Sequence, residues 1–128
     1  MLNTEQDYPY TATDGTCKAK GTIATISGYV DVTANDPIAL SKALEVGPVS
    51  IAVDASGLAW QFYSGGIVKR FCGTDLDHGV LLVGQGTENG TDYWIIKNSW
   101  GAGWGESGYI RVLREMTKSG PGVCGLQQ

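Results

Sequence analysis

The pattern of apolar and polar residues predicts one clear helix in this chain. After the sequence NDP at positions 35–37, apolar side chains recur at helical spacing, at Ile38, Leu40, Ala43, Leu44 and Val46. An aspartate followed by a proline is typical of a helix start, because the aspartate caps free N–H groups and proline fits the first turn. Glycine and proline at positions 47 and 48 end the pattern. We therefore expect a short amphipathic helix over residues 37–46.

Shorter apolar runs separated by glycine-rich turns predict strands. They cover residues 23–32, 49–53, 78–85, 91–98 and 108–112, and residues 58–63 are expected to form about one helical turn. Between the third and fourth strands, the sequence TENG places Asn89 and Gly90 at a hairpin tip. We expect an α+β fold dominated by an antiparallel, barrel-like sheet with one clear short helix.

Composition and charge exclude several classes of protein. The 128 residues fit one domain, and the net charge of −4 with nine scattered Lys and Arg residues gives no basic patch for nucleic acid. The longest apolar run, residues 80–83, is too short to cross a membrane. Three cysteines outside any CxxC pair and a single histidine argue against a structural zinc site, so we expect no metal and no cofactor.

The single histidine, His78, and Asn98 stand at the outer ends of the two predicted hairpin strands. Antiparallel pairing would bring these two positions to the same edge of the sheet. A histidine can transfer protons near neutral pH, and an asparagine side-chain oxygen can hold an imidazole in one tautomer. The alternative interpretations are a structural or incidental His78 and an Asn98 that is simply a turn residue.

Two tryptophans, Trp100 and Trp104, lie in the glycine-rich segment SWGAGWGESGY, which is too irregular for a strand. They could be core aromatics of a looping segment. Alternatively, an indole here could shield a hydrogen bond from water and so strengthen it.

The segments DHGVLLVGQG and YWIIKNSWGAGWGESGYIRV resemble the histidine and asparagine signatures of the papain-like cysteine proteases. TEQDYPY, GPVSIAVDA, FYSGGIV and GVCGL resemble further family segments in the same order, so the resemblance covers nearly the whole chain. It implies that His78 is the general base and later the general acid, that Asn98 orients His78, and that Trp100 covers the bond between them. In the family, the imidazolium pairs with a cysteine thiolate that attacks the scissile carbonyl.

The resemblance also identifies parts of the family machinery that these residues do not match. The family's nucleophile lies in a CGSCW-like segment near the mature N-terminus, with the oxyanion-hole glutamine just upstream, and neither is found here. Cys72 and Cys124 match positions that form a disulfide with each other, and Cys17 matches a cysteine whose partner lies in the other lobe. We therefore expect residues 1–128 to be the C-terminal lobe of a papain-like peptidase domain without its cysteine-bearing N-terminal lobe, and inactive alone.

By the same resemblance, Ala52, Leu76 and Gly79 would line a substrate pocket for an apolar side chain, although core packing also explains Ala52 and Leu76. The expected partners are the cysteine-bearing lobe and, in the full enzyme, peptide substrates and cystatin-like inhibitors. Without that lobe, Trp100 and the surroundings of Leu76 would face water, so we also expect self-association. The parent enzyme is expected to be secreted or lysosomal/vacuolar, with any targeting segment upstream of this chain, because the first ten residues resemble no signal peptide.

Two alternatives remain open at this stage. The chain could be a non-catalytic binding or scaffold module, or an engineered single-lobe fragment, rather than part of an enzyme. Residues 89–91 form the sequence NGT, an N-glycosylation sequon, but Asn-Gly is also a favourable turn pair.

Overall fold

The computed structural model describes residues 2–21 and 23–128, and the chain divides into two compact units, residues 1–31 and 32–128. In the first unit, the described residues form no helix and no strand, only an antiparallel bridge between Leu2 and Ala24. The predicted strand over residues 23–32 is therefore wrong. Its apolar side chains Ile23, Ile26 and Tyr29 are exposed. β propensity is a property of single residues, and it cannot supply the partner strand that a ladder requires.

The predicted helix is confirmed as α1, Pro37–Val46. Oδ1 of Asp36 accepts hydrogen bonds from the backbone N–H groups of Ile38 and Ala39 at 2.9 and 3.0 Å, so the aspartate is the cap. The buried side of the helix includes Ser41, whose Oγ donates to Oε1 of Gln85 at 2.8 Å. This bond fastens the helix to the sheet.

Five strands form one sheet in the order β1-β3-β4-β5-β2. Every pair is antiparallel except β2 and β5, which are parallel. The predicted α+β class is confirmed. Strand β2 was not predicted, because two residues are too few to show the alternation of apolar and polar side chains. The strands are β1 (Val49–Val53), β2 (Ile67–Val68), β3 (His78–Glu88), β4 (Thr91–Lys97) and β5 (Tyr109–Leu113).

Two short helical pieces complete the second unit. The expected helical turn is present as α2, Leu58–Gln61, and a 3₁₀ turn at Val123–Gly125 follows β5. The 3₁₀ turn was not predicted from the sequence. Its Cys124 carbonyl accepts a hydrogen bond from the N–H of Asp54 at 2.8 Å, which holds the end of the chain against the end of β1.

The predicted hairpin between β3 and β4 is confirmed. Asn89 and Gly90 form its two-residue turn with φ of 49° and 74°, the left-handed values that a type I′ turn requires. Pairing runs from Glu88 opposite Thr91 to Leu81 opposite Lys97, with a bulge between positions 82 and 84. The hairpin therefore returns the chain to the level at which β3 began.

The core of the second unit lies on one face of the sheet. Side chains two positions apart on a strand point to the same face, and alternate residues of β4 and β5 are fully buried. The indole of Trp60, from α2, packs with them and is also fully buried. The fully buried sheet residues are Val53, Leu82, Trp94, Ile96, Ile110 and Val112.

Candidate active site

His78 and Asn98 meet at the open end of the β3–β4 hairpin, as the pairing argument predicted. His78 is the first residue of β3, and Asn98 directly follows β4. Nε2 of the histidine and Oδ1 of the asparagine are 2.8 Å apart. Asn98 is buried, and its own N–H donates to the carbonyl of Gly108 at 3.0 Å, so its position is held by the backbone.

The asparagine oxygen determines which nitrogen of the imidazole carries hydrogen. Oδ1 of Asn98 also accepts a hydrogen bond from the N–H of Ser99 at 2.8 Å. A flipped amide would place its NH₂ group against that N–H, two donors face to face, so oxygen must occupy this position. An amide oxygen only accepts, so Nε2 of His78 must donate to it. The other nitrogen, Nδ1, is then the one that can take up and release a proton.

Indole rings flank the imidazole. The rings of His78 and Trp100 have centroids 5.1 Å apart with an interplanar angle of 33°, and Trp60 meets His78 edge-on at 6.1 Å. Trp104 stacks on Trp60 at 5.7 Å and meets Trp100 edge-on at 5.3 Å. Trp100 itself is 39% exposed, so it forms the outer wall of this cluster. The imidazole thus lies within a cluster of indole rings.

Sequence reasoning missed Trp60. It lies in α2, 38 residues before Asn98, and only the folded arrangement brings it against His78. The run AWQFY around it signals aromatic burial but no particular partner. The backbone carbonyl of Trp60 also accepts a hydrogen bond from Nε1 of Trp104 at 3.1 Å, which holds the Trp104 indole against α2.

Two aspartates, also missed, tie the segment that precedes His78 to the end of β1. Oδ1 of Asp77 accepts from the N–H of Ala55 at 2.8 Å, and the N–H of Asp77 donates to the carbonyl of Val53 at 3.1 Å. In return, the buried carboxylate of Asp54 accepts from the N–H of Asp75 at 3.3 Å. The ends of β1 and the segment leading into β3 are therefore tied in both directions. His78 begins its strand from a fixed point.

The carboxylate of Asp54 is favoured in its ionised form. The Ser56 hydroxyl donates to it at 2.7 Å, and backbone N–H groups, including that of Ser56 at 3.2 Å, add to this. Together these donors lower the pKa of Asp54 below its ordinary value, although burial acts in the opposite direction.

Glu106 closes the glycine-rich loop that carries Trp100. Its carboxylate accepts from Nε and Nη2 of Arg111, both at 2.8 Å, and from the N–H of Gly66 at 2.9 Å. The guanidinium contact, first of all, lowers the pKa of Glu106. This forked pair anchors the loop to β5 and to the turn before β2.

The cysteines have two different environments. Cys72 and Cys124 form a disulfide across 52 residues of chain, with their Cα atoms 5.0 Å apart, so the predicted bridge is confirmed. Cys124 is buried. Cys17, in the first unit, is exposed and forms no disulfide within the described residues. Neither disulfide sulfur is available as a nucleophile while the bridge is intact.

The three residues predicted to line a substrate pocket are only partly brought together. Ala52 and Gly79 are paired across β1 and β3, one position from His78. Leu76 is 42% exposed and lies against Gly125, where an added Cβ would come within 2.8 Å of its Cδ2. A groove of about 420 Å³ runs across this part of the sheet and is lined by Gly79 and Asn98, but not by Ala52 or Leu76.

Other kinds of site receive no support from the described part of the chain. Residues 2–21 and 23–128 contain no cluster of His, Cys, Asp or Glu side chains arranged to hold a metal ion. Within the same residues, no helix has the length and apolar character that crossing a membrane would require.

Comparison with known proteins gives consistent matches. The family model described as papain family cysteine protease matches residues 1–128. A cysteine proteinase of Brassica napus, COT44, is 51% identical over 128 residues, which are 98% of this chain and 39% of that protein. The cysteine endopeptidase RepA of Oryza sativa subsp. japonica is 54% identical over 129 residues, covering 98% of this chain and 34% of that protein. The chain thus spans well under half the length of these relatives.

The fold of this chain is also similar to that of a solved protease structure. The bromelain protease of Ananas comosus, determined in complex with an inhibitor, superimposes with a TM-score of 0.82 at 42% sequence identity. The match covers 98% of this chain and 59% of the bromelain chain.

Proposed function

Because this chain belongs to the papain family of cysteine proteases, we propose that it supplies the histidine and asparagine side of an active site that hydrolyses peptide bonds. The observation that carries the proposal is the 2.8 Å contact between Nε2 of His78 and Oδ1 of Asn98. It leaves Nδ1 of the same ring to exchange a proton with a thiol. Residues 1–128 would then be the C-terminal lobe of a papain-like peptidase domain.

In the proposed mechanism, His78 acts first as base and then as acid. Nδ1 takes the proton of a cysteine thiol, and the resulting imidazolium stabilises the thiolate that attacks the scissile carbonyl. The imidazolium then gives its proton to the leaving amine, and the acyl enzyme is hydrolysed by water that the neutral imidazole activates. Throughout, Asn98 holds the ring through Nε2, and Trp100 covers that bond.

The nucleophile in this proposal comes from outside the 128 residues. Cys72 and Cys124 are joined in the disulfide, and Cys17 lies in a polar segment, DGTCKAK, within the first unit. No CGSCW-like segment occurs in the sequence. We therefore propose that a cysteine-bearing lobe contributes the thiol and the rest of the oxyanion site, and that this chain alone does not cleave peptides.

The substrate and partner assignments follow from the same proposal. Ala52, Leu76 and Gly79 lie close to His78 in sequence or pairing, are apolar or lack a side chain, and would contact an apolar substrate residue. In the assembled enzyme, peptides and cystatin-like inhibitors would occupy the cleft beside His78. Without the second lobe, the partly exposed Trp100 and Leu76 would favour self-association.

The disulfide indicates the kind of cellular compartment in which the parent enzyme would be found. A disulfide with one nearly inaccessible sulfur forms and persists where conditions are oxidising, as in the secretory pathway. We therefore propose that the parent enzyme is secreted or lysosomal/vacuolar.

Reassembly tests the proposed function. The chain would be combined with a separately produced cysteine-bearing lobe of a papain-family relative, and turnover of a dipeptidyl fluorogenic substrate measured under mildly acidic, mildly reducing conditions. We expect activity from the mixture only. His78→Ala should abolish it, whereas Asn89→Asp, at the far end of the hairpin, should not.

Two outcomes would contradict parts of the proposal. Turnover by the chain alone would show that the nucleophile lies within residues 1–128. Absence of turnover from lobes shown by sedimentation to associate would favour the non-catalytic binding module instead.

A further inference from the structure

We propose that Asn89 is a site of N-linked glycosylation, at the tip of the β3–β4 hairpin. The chain contains four asparagines, and only Asn89 is followed by a serine or threonine two positions later, in Asn89-Gly90-Thr91. Asn89 and Gly90 are both exposed. This property is independent of the catalytic proposal, since it requires only a eukaryotic secretory route.

The tip extends beyond the strands that flank the hairpin. Pairing between β1 and β3 ends where Val49 meets Leu82, six residues before Glu88, and pairing between β4 and β5 begins only at Tyr93. In the strand ladder, Glu88 and Thr91 are therefore paired only with each other, and the further contacts here are those of Glu88 with the Arg111 side chain at 3.1 Å and of the Asp92 carbonyl with the N–H of Arg114 at 3.0 Å. An oligosaccharide at the tip would meet water rather than a neighbouring strand.

The tip lies far from the candidate catalytic pair. Strand β3 has eleven residues from His78 to Glu88. At roughly 3.3 Å per residue, Asn89 is about 35 Å from His78 along the strand. A glycan there would leave both the His78–Asn98 pair and the adjoining groove open.

Turn formation alone does not account for the full sequon. The turn requires residues that accept positive φ at positions 89 and 90, and Asp-Gly would satisfy it as well as Asn-Gly. It places no requirement on a hydroxyl at position 91. Glycosylation requires both the amide of Asn89 and the hydroxyl of Thr91, and the chain has both.

The chemistry needs a donor that the secretory pathway provides. Nδ2 of Asn89 would attack the anomeric carbon of an oligosaccharide linked to a polyprenyl pyrophosphate. A C–N bond forms, the bond between carbon and pyrophosphate oxygen breaks, and the amide loses one proton as the lipid pyrophosphate departs. The Cys72–Cys124 disulfide is independent support for this route, because such bonds form in the oxidising compartment where the transfer takes place.

Four matched forms of the chain test the proposal in a eukaryotic cell line that secretes them behind a cleavable signal. They are the unchanged sequence, Asn89→Asp, Thr91→Val and Thr91→Ser. Asn89→Asp keeps the turn, and Thr91→Val keeps the shape of the strand residue, but each removes one requirement for transfer. We expect a mass increase in the unchanged chain that peptide-N-glycosidase removes, no increase in Asn89→Asp or Thr91→Val, and a retained increase in Thr91→Ser.

Glycopeptide mass spectrometry of both the secreted and the cell-retained chain gives the deciding measurement, so poor secretion does not prevent an answer. An unmodified Asn89 in both fractions, while a reporter with a known sequon is glycosylated in the same cells, would overturn the proposal. A glycan that persists in Thr91→Val would place the modification elsewhere and would overturn it as well.

Discussion

Breaking the Cys72–Cys124 bridge is expected to remove about 4 kcal/mol of stability from this chain. The bridge closes a loop of 52 residues. Opening such a loop restores about 14 cal/mol/K of entropy to the unfolded chain, or about 4 kcal/mol at 25 °C. A domain of ordinary stability unfolds at a cost of about 5–15 kcal/mol, so reduction should remove a large share of it.

Urea unfolding with and without reductant measures this difference directly. The unchanged chain should lose about 4 kcal/mol on reduction. A Cys72→Ala/Cys124→Ala variant should have the stability of the reduced chain whether or not reductant is present. Cys17→Ala should behave like the unchanged chain because Cys17 lies outside the bridge. A loss below about 1 kcal/mol on reduction would refute the loop-entropy reasoning and would mean that the reduced chain stays compact when unfolded.

Three further predictions concern the site and the sheet. Asn98→Ala removes an acceptor used by two N–H groups, so thermal melts should show a loss of stability of about 1–3 kcal/mol. The kcat of the reassembled enzyme should fall by about 10²-fold, whereas Asn98→Asp should retain the contact to His78. Asp54 has a lowered pKa, so the stability that its carboxylate confers is complete above its ordinary pKa of 3.8 and is lost as the pH falls below that value. The urea unfolding midpoint of the unchanged chain should therefore fall between about pH 5 and pH 2, and the midpoint of Asp54→Asn should depend less on pH over this range. Gly86→Ala would place a Cβ 2.7 Å from a tyrosine ring and should cost about 1–3 kcal/mol in urea unfolding, whereas Gly103→Ala, with open space, should cost little.

Local signals were sufficient to predict the helix and most strands. The bounds of α1 follow from Asp36 as cap and from the glycine and proline after Val46, all of which act within a few residues. The hairpin likewise follows from Asn89 and Gly90, whose positive φ values the sequence anticipates. These features could be predicted because their causes lie inside the segment itself.

Non-local pairing explains the failures. Residues 23–32 have strand-like composition but no neighbouring strand among the described residues, so residues 23–31 remain exposed and form only an isolated bridge with Leu2. Conversely, β2 exists because Ile67 and Val68 pair with β5, more than forty residues later. Neither outcome can be derived from the segment's own residues, since the ladder depends on what lies beside it.

The residues of the candidate site also differ in whether local or non-local contacts position them. His78 and Asn98 could be paired from the sequence because one hairpin connects them, and the hairpin register needs only local information. Trp60 and Asp54 could not, because each reaches His78 or its loop through tertiary packing between separate elements. Asn98, which holds the imidazole, and Trp100, which lies beside it, could therefore be identified from the sequence, whereas Trp60 and Asp54 could not.

If the chain is one lobe of a peptidase, as we propose, the contacts that orient His78 all lie within that lobe. The histidine–asparagine pair depends on the β3–β4 hairpin, and the segment before His78 is fastened by Asp54, Asp77 and the Cys72–Cys124 bridge, all within residues 32–128. Nothing in that arrangement requires a second lobe to align the ring. A nucleophile brought to Nδ1 would therefore meet an imidazole already oriented, and preorganisation of this kind lowers the entropy that the reacting groups must lose on assembly.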